Sequence, residues 1–301
     1  MRSAPQFDWW SKPVRNPRDV PLNGLRAIGE VDLHCHSTAS DGFVSPTELV
    51  AKALSAGLRV VALTDHDTVD GVTEAQAAAA GTGLEIIPGI ELSSDSGHNE
   101  LHILGYFVDQ DSSRLNEHSR WCQEKRVDRI GRMCQRLTKL GMPLSFDEVQ
   151  ELSGAGSVGR PHIARAMIAR GYVDSIGDAF NRYIATGRPA FIPRENVSPA
   201  QVIAVIKDAH GVAVLAHPLF TTNYERLLPG LREDGLTGLE AYYGEYDQPS
   251  RERLASVARR HGLIPTGGSD YHGDGYKAGR SLGSVVVPPS MVNELRNAVR
   301  R

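Results

Sequence analysis

Short apolar runs alternate with amphipathic stretches along most of the chain. The runs that predict strands are EVDLHCH, RVVALTDHD, EIIPGIELS, LHILGYF, VAVLAHP, GLEAYY and LIPTGGSDYH, with a further run, GSVVVPP, near the end. Most of them are apolar at successive positions rather than at every second one. This pattern is typical of strands that are covered by helices on both faces.

The helices between these runs have clear start and stop signals. In SPTELVAKALSAG, Ser45 is the predicted N-cap, Pro46 occupies the first turn, Glu48 completes a capping box and Gly57 ends the helix. SPAQVIAVIKDAHG repeats that design. Strand–helix units of this length predict a parallel α/β sheet that closes into a barrel.

One long region interrupts the alternation. Residues 108–196 carry almost no strand signal, and helical patterns dominate, so we interpret them as an all-helical insertion between barrel units. The barrel then comprises residues 29–107 and 197–301, preceded by an N-terminal arm, 1–28, that contains Trp9 and Trp10. From Tyr106 to Asn196 there are 14 Lys and Arg against 11 Asp and Glu. A mildly basic cap suits an anionic substrate, and a solvated helical surface explains the charge equally well.

Composition excludes several classes of protein. The 301 residues carry a net charge of −3, which argues against a dedicated nucleic-acid binder with a strongly basic face. No apolar run of about 18 residues predicts a membrane span, and the first 28 residues lack the apolar segment of a signal peptide. Three cysteines do not make a disulfide framework, so a reducing cytoplasm is the expected location.

The histidines are concentrated where predicted strands end. Of eleven, six lie at or just beyond such an end: His34, His36, His66, His102, His217 and His272. Asp65, Asp67, Glu91 and Asp270 share that location, and Asp41 follows the first strand. Side chains from different strands converge at the C-terminal face of a parallel barrel, so these groups are expected to meet there.

The chemistry of this set predicts a metal centre. His34 and His36 are two apart on a strand and therefore point the same way, while Cys35 faces the core. Imidazoles and carboxylates without thiolates suit Zn, Mn or Fe. The set is larger than one ion requires, which indicates two or three ions. Metal ions about 3.5–4 Å apart are typical of phosphoester cleavage.

These residues resemble the metal-binding motifs of the PHP (polymerase and histidinol phosphatase) family. The nine matching positions are His34, His36, Asp41, His66, Glu91, His102, His217, Asp270 and His272. The resemblance covers roughly residues 30–289 and is closest to stand-alone phosphoesterases with a helical insert. That group includes 3′,5′-nucleoside bisphosphate phosphatases and RNA 5′-end exonucleases. It implies a distorted (β/α)7-type barrel with an inserted helical domain.

The family layout implies how the ions are shared. His34, His36, Glu91 and Asp270 would hold the first ion, a bridging Glu91 with His102 and His217 the second, and Asp41, His66 and His272 the third. Asp65 and Asp67 would then orient ligating imidazoles. A hydroxide that bridges the ions would attack phosphorus in line.

Substrate contacts are expected from the insertion. Glycines precede a helix that begins near Arg160, and helix N-termini and arginines bind anions, so Arg160 and His162 are predicted phosphate contacts. Arg188 and Arg194 are weaker candidates, with surface ion pairs as the alternative. Tyr243 could stack on a base, although packing against the insertion is the simpler and favoured explanation.

Four functions remain open from sequence. The first is removal of the 3′-phosphate from adenosine 3′,5′-bisphosphate, with release of AMP and phosphate. The second, compatible with it, is 5′→3′ hydrolysis of short 5′-phosphorylated RNA. The third is a histidinol phosphate phosphatase, for which a basic cap is unnecessary. The fourth is a non-catalytic metal-binding scaffold, against which the complete ligand set argues. The sequence does not predict an oligomeric state.

Overall fold

The computed structural model describes residues 30–96, 100–154, 156–195 and 197–299. The arm with Trp9 and Trp10 therefore lies outside the described residues. Seven strands form one sheet in sequence order. They are β1 (Val31–Cys35), β2 (Val60–Leu63), β3 (Glu85–Asp95), β4 (Glu100–Tyr106), β5 (Val212–Leu215), β6 (Gly238–Tyr243) and β7 (Ile264–Gly268). The first and last strands approach each other, since the His36 N–H donates to the Tyr271 carbonyl at 2.8 Å, and the sheet is nearly closed as a barrel.

The predicted barrel is confirmed, but one strand runs the opposite way. β4 is antiparallel to both β3 and β5, whereas the other neighbouring strands are parallel. Only four residues separate Asp95 from Glu100, and a parallel crossover needs about a dozen or more. The short connection therefore forces a hairpin. As a consequence His102 lies near the start of its strand, not at the predicted C-terminal end, yet at the same rim as the other histidines.

Ten helices accompany the strands in the described part of the chain. They are α1 (Pro46–Ser55), α2 (Val72–Ala79), α3 (Ser113–Lys139), α4 (Phe146–Ser153), α5 (Arg160–Ala169), α6 (Ile176–Ala179), α7 (Pro199–Asp208), α8 (Tyr224–Asp234), α9 (Gln248–Arg260) and α10 (Ser290–Val299). The capping boxes at Ser45 and Ser198 form as predicted. None of the described helices is long and apolar enough to cross a membrane.

The prediction of a last strand in GSVVVPP is wrong. Val285 and Val287 are buried against the barrel, but the segment pairs with no strand. Pro288 and Pro289 follow directly and have no N–H groups to donate to a ladder. The segment therefore packs on the barrel core through Val285 and Val287 without joining the sheet.

Helices α3 to α6 lie between β4 and α7, and a π-helical turn, Phe180–Ile184, follows α6. The apolar side chains of these helices form a core of their own, separate from the cores of the barrel. This helical core includes Ile130, Met133, Leu137, Val149, Ile163 and Met167. The described residues of this region contribute no strand to the sheet. The barrel supplies the rim of the site, and this helical region stands beside it.

Candidate metal centre

Glu91 lies at the centre of the histidines on the barrel rim. It is 1% exposed, and its Oε2 atom lies 3.3 Å from His34 Nε2, 3.3 Å from His36 Nε2 and 3.1 Å from His66 Nδ1. Its other oxygen, Oε1, lies 2.7 Å from His102 Nδ1 and 3.1 Å from His217 Nε2. One buried carboxylate therefore contacts five imidazoles that come from four different segments of the chain.

Two aspartates complete the cluster. Asp270 Oδ1 lies 3.2 Å from His36 Nε2 and 3.5 Å from His34 Nε2. Asp41 Oδ1 lies 3.4 Å from His272 Nε2, and its Oδ2 lies 3.8 Å from His66 Nε2. All nine residues singled out from sequence thus meet within one connected set of contacts.

The donor atoms fit divalent ions. Zinc–nitrogen and zinc–oxygen bonds of about 2.0–2.2 Å place two ligands of one ion roughly 3–3.5 Å apart, which is the spacing of most of these pairs. Both ring nitrogens of His36 and Nδ1 of His66 are buried without a hydrogen-bond partner among the described residues. Such orphaned nitrogens are costly unless something binds them. Three overlapping groups could each hold an ion: His36, Asp41, His66 and His272; His34, His36 and Glu91; His66, Glu91 and His102.

Mutual charge keeps the carboxylates of the cluster ionised in spite of burial. Burial alone would raise the pKa of Glu91, but the surrounding histidines hold it well below the usual value. Burial opposes protonation of His36, yet the nearby carboxylates of Asp270 and Glu91 raise its pKa to about 9. Metal ions bind deprotonated imidazoles, so their binding here releases protons.

Glu240 supports the ligands and was missed from sequence. Its Oε1 lies 2.9 Å from His34 Nδ1, and its Oε2 accepts the His217 N–H at 2.6 Å. The His217 backbone has φ of 27°, an unusual value for a non-glycine residue, and this bond holds it there. The signal was available, because Glu240 is the charged residue inside the otherwise apolar or aromatic run GLEAYY.

We expect Glu240→Gln to weaken metal binding by about 10- to 100-fold, the usual effect of removing a group that orients a ligand. A glutamine amide can accept one of the two hydrogen bonds, but its NH2 group cannot accept the other. Metal content after dialysis against graded chelator measures the change. Unaltered retention of metal would contradict a supporting role for Glu240.

Asp65 and Asp67 contact other groups than imidazoles. Asp65 accepts hydrogen bonds from the Ser37 N–H at 2.8 Å, the Ser37 hydroxyl at 2.7 Å and the Ser40 hydroxyl at 2.5 Å. These bonds fix the loop that carries Asp41. Asp67 pairs with Arg126 Nε at 2.5 Å, so it positions an arginine of α3.

A cluster of arginines borders the metal ligands. Arg194 Nη1 also lies 3.4 Å from Asp67, and its Nε lies 2.9 Å from Glu100. Arg160 pairs with Glu100 at 3.3 Å. Arg126 is 5% exposed, and its Nη2 has no hydrogen-bond partner among the described residues. The arginine cluster, Arg126, Arg160 and Arg194, therefore sets three cations against two carboxylates. Arg126 was not predicted from sequence because it lies on an amphipathic helix rich in basic residues.

One cavity of about 590 Å³ joins the two groups. Its lining includes seven of the nine predicted ligands, the arginine cluster, Glu100, and the aromatic side chains of Phe180, Phe220 and Tyr276. Arg160 and Arg194 thus lie where a substrate phosphate was expected. Arg188 is exposed and lies outside this lining.

Two other predicted substrate contacts are buried in structural roles. His162 Nδ1 accepts the Gly159 N–H at 3.0 Å and so caps α5. Burial lowers the pKa of His162 to about 4. The Tyr243 hydroxyl donates to Asp270 Oδ2 at 2.7 Å and its ring is fully buried, which leaves no face for a base.

Known proteins share this architecture. The family model of the PHP domain matches residues 32–116. The chain is 38% identical over 248 residues to a 5′-3′ exoribonuclease of Haemophilus influenzae, covering 80% of this chain and 89% of the relative. It is 32% identical over 268 residues to a 3′,5′-nucleoside bisphosphate phosphatase of Chromobacterium violaceum, and the match covers 87% of this chain and 94% of the relative. A structure from Bifidobacterium adolescentis described as a metal-dependent phosphoesterase superposes with a TM-score of 0.83 at 33% identity, covering 91% and 97%.

Proposed function

The chain belongs to the PHP family of metal-dependent phosphoesterases, and from that premise we propose that it removes the 3′-phosphate from nucleoside 3′,5′-bisphosphates. With adenosine 3′,5′-bisphosphate the products are AMP and phosphate. Short 5′-phosphorylated RNA is the second proposed substrate. The chain is a phosphoric ester hydrolase, and the choice among phosphate esters is the part that we propose.

The observation that carries the proposal is the single cavity shared by the metal ligands and the arginine cluster. A substrate with two phosphates needs one anion site for the reacting group and another for the group that stays. Arginine forks bind phosphate oxygens in pairs, and they do so more strongly in a buried, low-dielectric setting. The arginine cluster is therefore the proposed site of the 5′-phosphate.

The proposed ligand sets are those that the resemblance to the PHP family implies. His34, His36, Glu91 and Asp270 would hold one ion, Glu91 with His102 and His217 a second, and Asp41, His66 and His272 a third. Two or three Mn, Zn or Fe ions suit these nitrogen and oxygen donors. Bound there, they would supply an activated water molecule and offset the charge of the phosphoryl group.

The protein's own side chains fix the geometry of this reaction. Glu240 holds His34 in one tautomer, and Asp65 holds the loop of Asp41 through Ser37 and Ser40. Asp67 and Glu100 hold the arginines in place before substrate arrives. Preorganised charges of this kind stabilise a transition state without moving during the reaction.

The other functions are less well supported. Histidinol phosphate has one phosphate and therefore offers no second phosphate to the arginine cluster. A scaffold without catalysis would not require a complete set of ligands. The 5′-3′ exoribonuclease relative supports RNA as a further substrate, since a cavity that holds a 5′-phosphate beside a 3′-phosphoester accommodates both. A cytoplasmic location is part of the same proposal, and the three buried, free cysteines are compatible with it.

Phosphate release by the manganese-loaded protein tests the proposal. The substrates are adenosine 3′,5′-bisphosphate, a short 5′-phosphorylated RNA whose mononucleotide products are separated by chromatography, and histidinol phosphate, each with a chelated control. Metal-dependent turnover of the bisphosphate is the expected result. Turnover of histidinol phosphate alone would overturn it, and no turnover by protein with bound metal would favour the scaffold.

We expect Arg160→Ala to raise the KM for the bisphosphate at least about 10-fold, since hydrogen bonds to charged groups contribute about 1.5–3 kcal/mol. The KM for p-nitrophenyl phosphate, which has one phosphate, should change less than about twofold. Arg188→Ala is the matched control, because Arg188 lies in the same helical region but outside the cavity lining. Equal changes in the two KM values would remove Arg160 from recognition of the second phosphate.

A further inference from the structure

Phe220 is exposed at the cavity in a way that packing does not explain. It is 56% exposed, the largest value among the exposed large apolar side chains of the described residues. The six others are aliphatic, and none of them lines this cavity. Phe220 follows the metal-ligand candidate His217 by three residues and ends a short 3-10 turn, Pro218–Phe220. Single exposed apolar side chains are common, but this ring lines the cavity, where it offers an apolar face to a ligand.

The Phe220 ring packs against three other rings. Its centroid lies 5.6 Å from that of His217, and it meets Tyr243 and Tyr246 edge-to-face at 5.7 and 6.1 Å. The turn itself is anchored because the Leu219 N–H donates to the Tyr246 hydroxyl at 2.9 Å. A ring fixed in this way loses little conformational entropy when a ligand stacks on it.

The position of the ring relative to the charged groups indicates the ligand. Arg160 and Arg194 of the arginine cluster pair with Glu100, which lies 3.7 Å from His102 Nε2. The His102 and His217 rings are 5.0 Å apart, and Phe220 adjoins His217. Along the rim, the two imidazoles therefore lie between Glu100 with its paired arginines and Phe220. A nucleotide has the same order of parts, with charged phosphate at one end and an apolar base face at the other.

From this arrangement we propose that Phe220 is the stacking platform for the nucleobase of the substrate. The proposal rests on the proposed function and deepens it. It assigns base binding to the loop after β5, in place of the buried Tyr243. Because every base has a π-face, the platform accepts different bases and favours the larger purines.

The first test compares two substrates that differ only in the base. Adenosine 3′,5′-bisphosphate and its abasic 1-deoxyribose analogue carry the same two phosphates. Phe220→Ala should lower kcat/KM for the nucleotide about 5- to 100-fold, the range that follows from loss of one base stack. It should leave the abasic analogue within about twofold, and Phe220→Trp should restore the nucleotide value. Val286→Ala, which truncates another exposed apolar side chain outside the cavity, is the matched control.

The second test measures stacking without hydrolysis. The fluorescence of 2-aminopurine riboside 5′-monophosphate falls when the base stacks on an aromatic ring, and zinc-loaded protein avoids paramagnetic quenching. We expect quenching by the unaltered protein and by Phe220→Trp, but not by Phe220→Ala at equal bound probe. Quenching that survives in Phe220→Ala would overturn the proposal.

The kinetic outcomes separate this proposal from the function on which it rests. An equal fall for both substrates would mean that Phe220 acts through His217, and no fall would mean that the base lies elsewhere. Either result overturns the platform while leaving bisphosphate hydrolysis intact. If the unaltered protein hydrolyses p-nitrophenyl phosphate but not the bisphosphate, the proposed function fails. The stacking role of Phe220 then depends on the fluorescence test alone, and it is overturned if the unaltered protein does not quench 2-aminopurine more than Phe220→Ala does.

Discussion

Replacing Glu91 with glutamine is expected to reduce phosphate release at least about 1,000-fold, which corresponds to about 4 kcal/mol of lost transition-state stabilisation. Glu91 contacts five imidazoles, and its two oxygens face different groups of them. An amide keeps one acceptor oxygen and presents an NH2 group to the other side. The same substitution should lower the number of bound metal ions, measured by elemental analysis of the purified protein.

Glu117→Gln is the matched control, because Glu117 is an exposed glutamate on α3. It should leave activity and metal content unchanged. Circular dichroism must show that the Glu91 variant is folded. A folded Glu91→Gln protein with full metal content and normal turnover would refute the assignment of Glu91 as a shared ligand.

Gly268→Ala should have the largest effect on stability. A Cβ atom at this position would lie 2.4 Å from the backbone nitrogen of His34 and 2.5 Å from its Cβ. Backbone atoms cannot rotate away, so β1 and β7 must separate where the barrel closes. We expect a loss of about 3 kcal/mol or more in the free energy of unfolding, the upper end of the usual cost of overpacking. At this chain length, that loss lowers Tm by about 6 °C or more.

Gly131→Ala is the opposite case. Gly131 lies within α3, and a Cβ there would meet nothing within 4 Å. Alanine in a helix interior is favoured over glycine by up to about 1 kcal/mol, so Tm should rise slightly. Thermal unfolding followed by circular dichroism compares the two variants. Equal Tm values for both would show that the contact between Gly268 and His34 does not limit closure of the barrel.

Much of the fold was predictable because its signals are local. The capping boxes of α1 and α7 depend on residues three apart, and both form as expected. The alternation of a strand is equally local, so it could be inferred that His34 and His36 share a direction. The apolar run of β4, in contrast, carries no information on its direction. Only the length of the connection to β3 does so.

The rest of the site depends on contacts between distant segments. Arg126 is indistinguishable in sequence from the solvent-exposed arginines of α3, and it becomes special because Asp67 meets it across 59 positions. Tyr243 was a plausible partner for a base until the fold placed Asp270 against its hydroxyl. Phe220 could not be distinguished from a core residue, since sequence does not reveal which ring the tertiary structure leaves uncovered.

Helix α3 determines how a substrate can enter. Its 27 residues span about 40 Å without a break. Leu115 near its start packs in the barrel core, whereas Met133 and Leu137 near its end belong to the core of the helical region. Arg126, between them, is tied to Asp67. A continuous helix that packs in both cores resists hinge bending between the barrel and the helical region. The helical region and the barrel are therefore expected to move as one body, which would keep the mouth of the cavity open to a phosphoester.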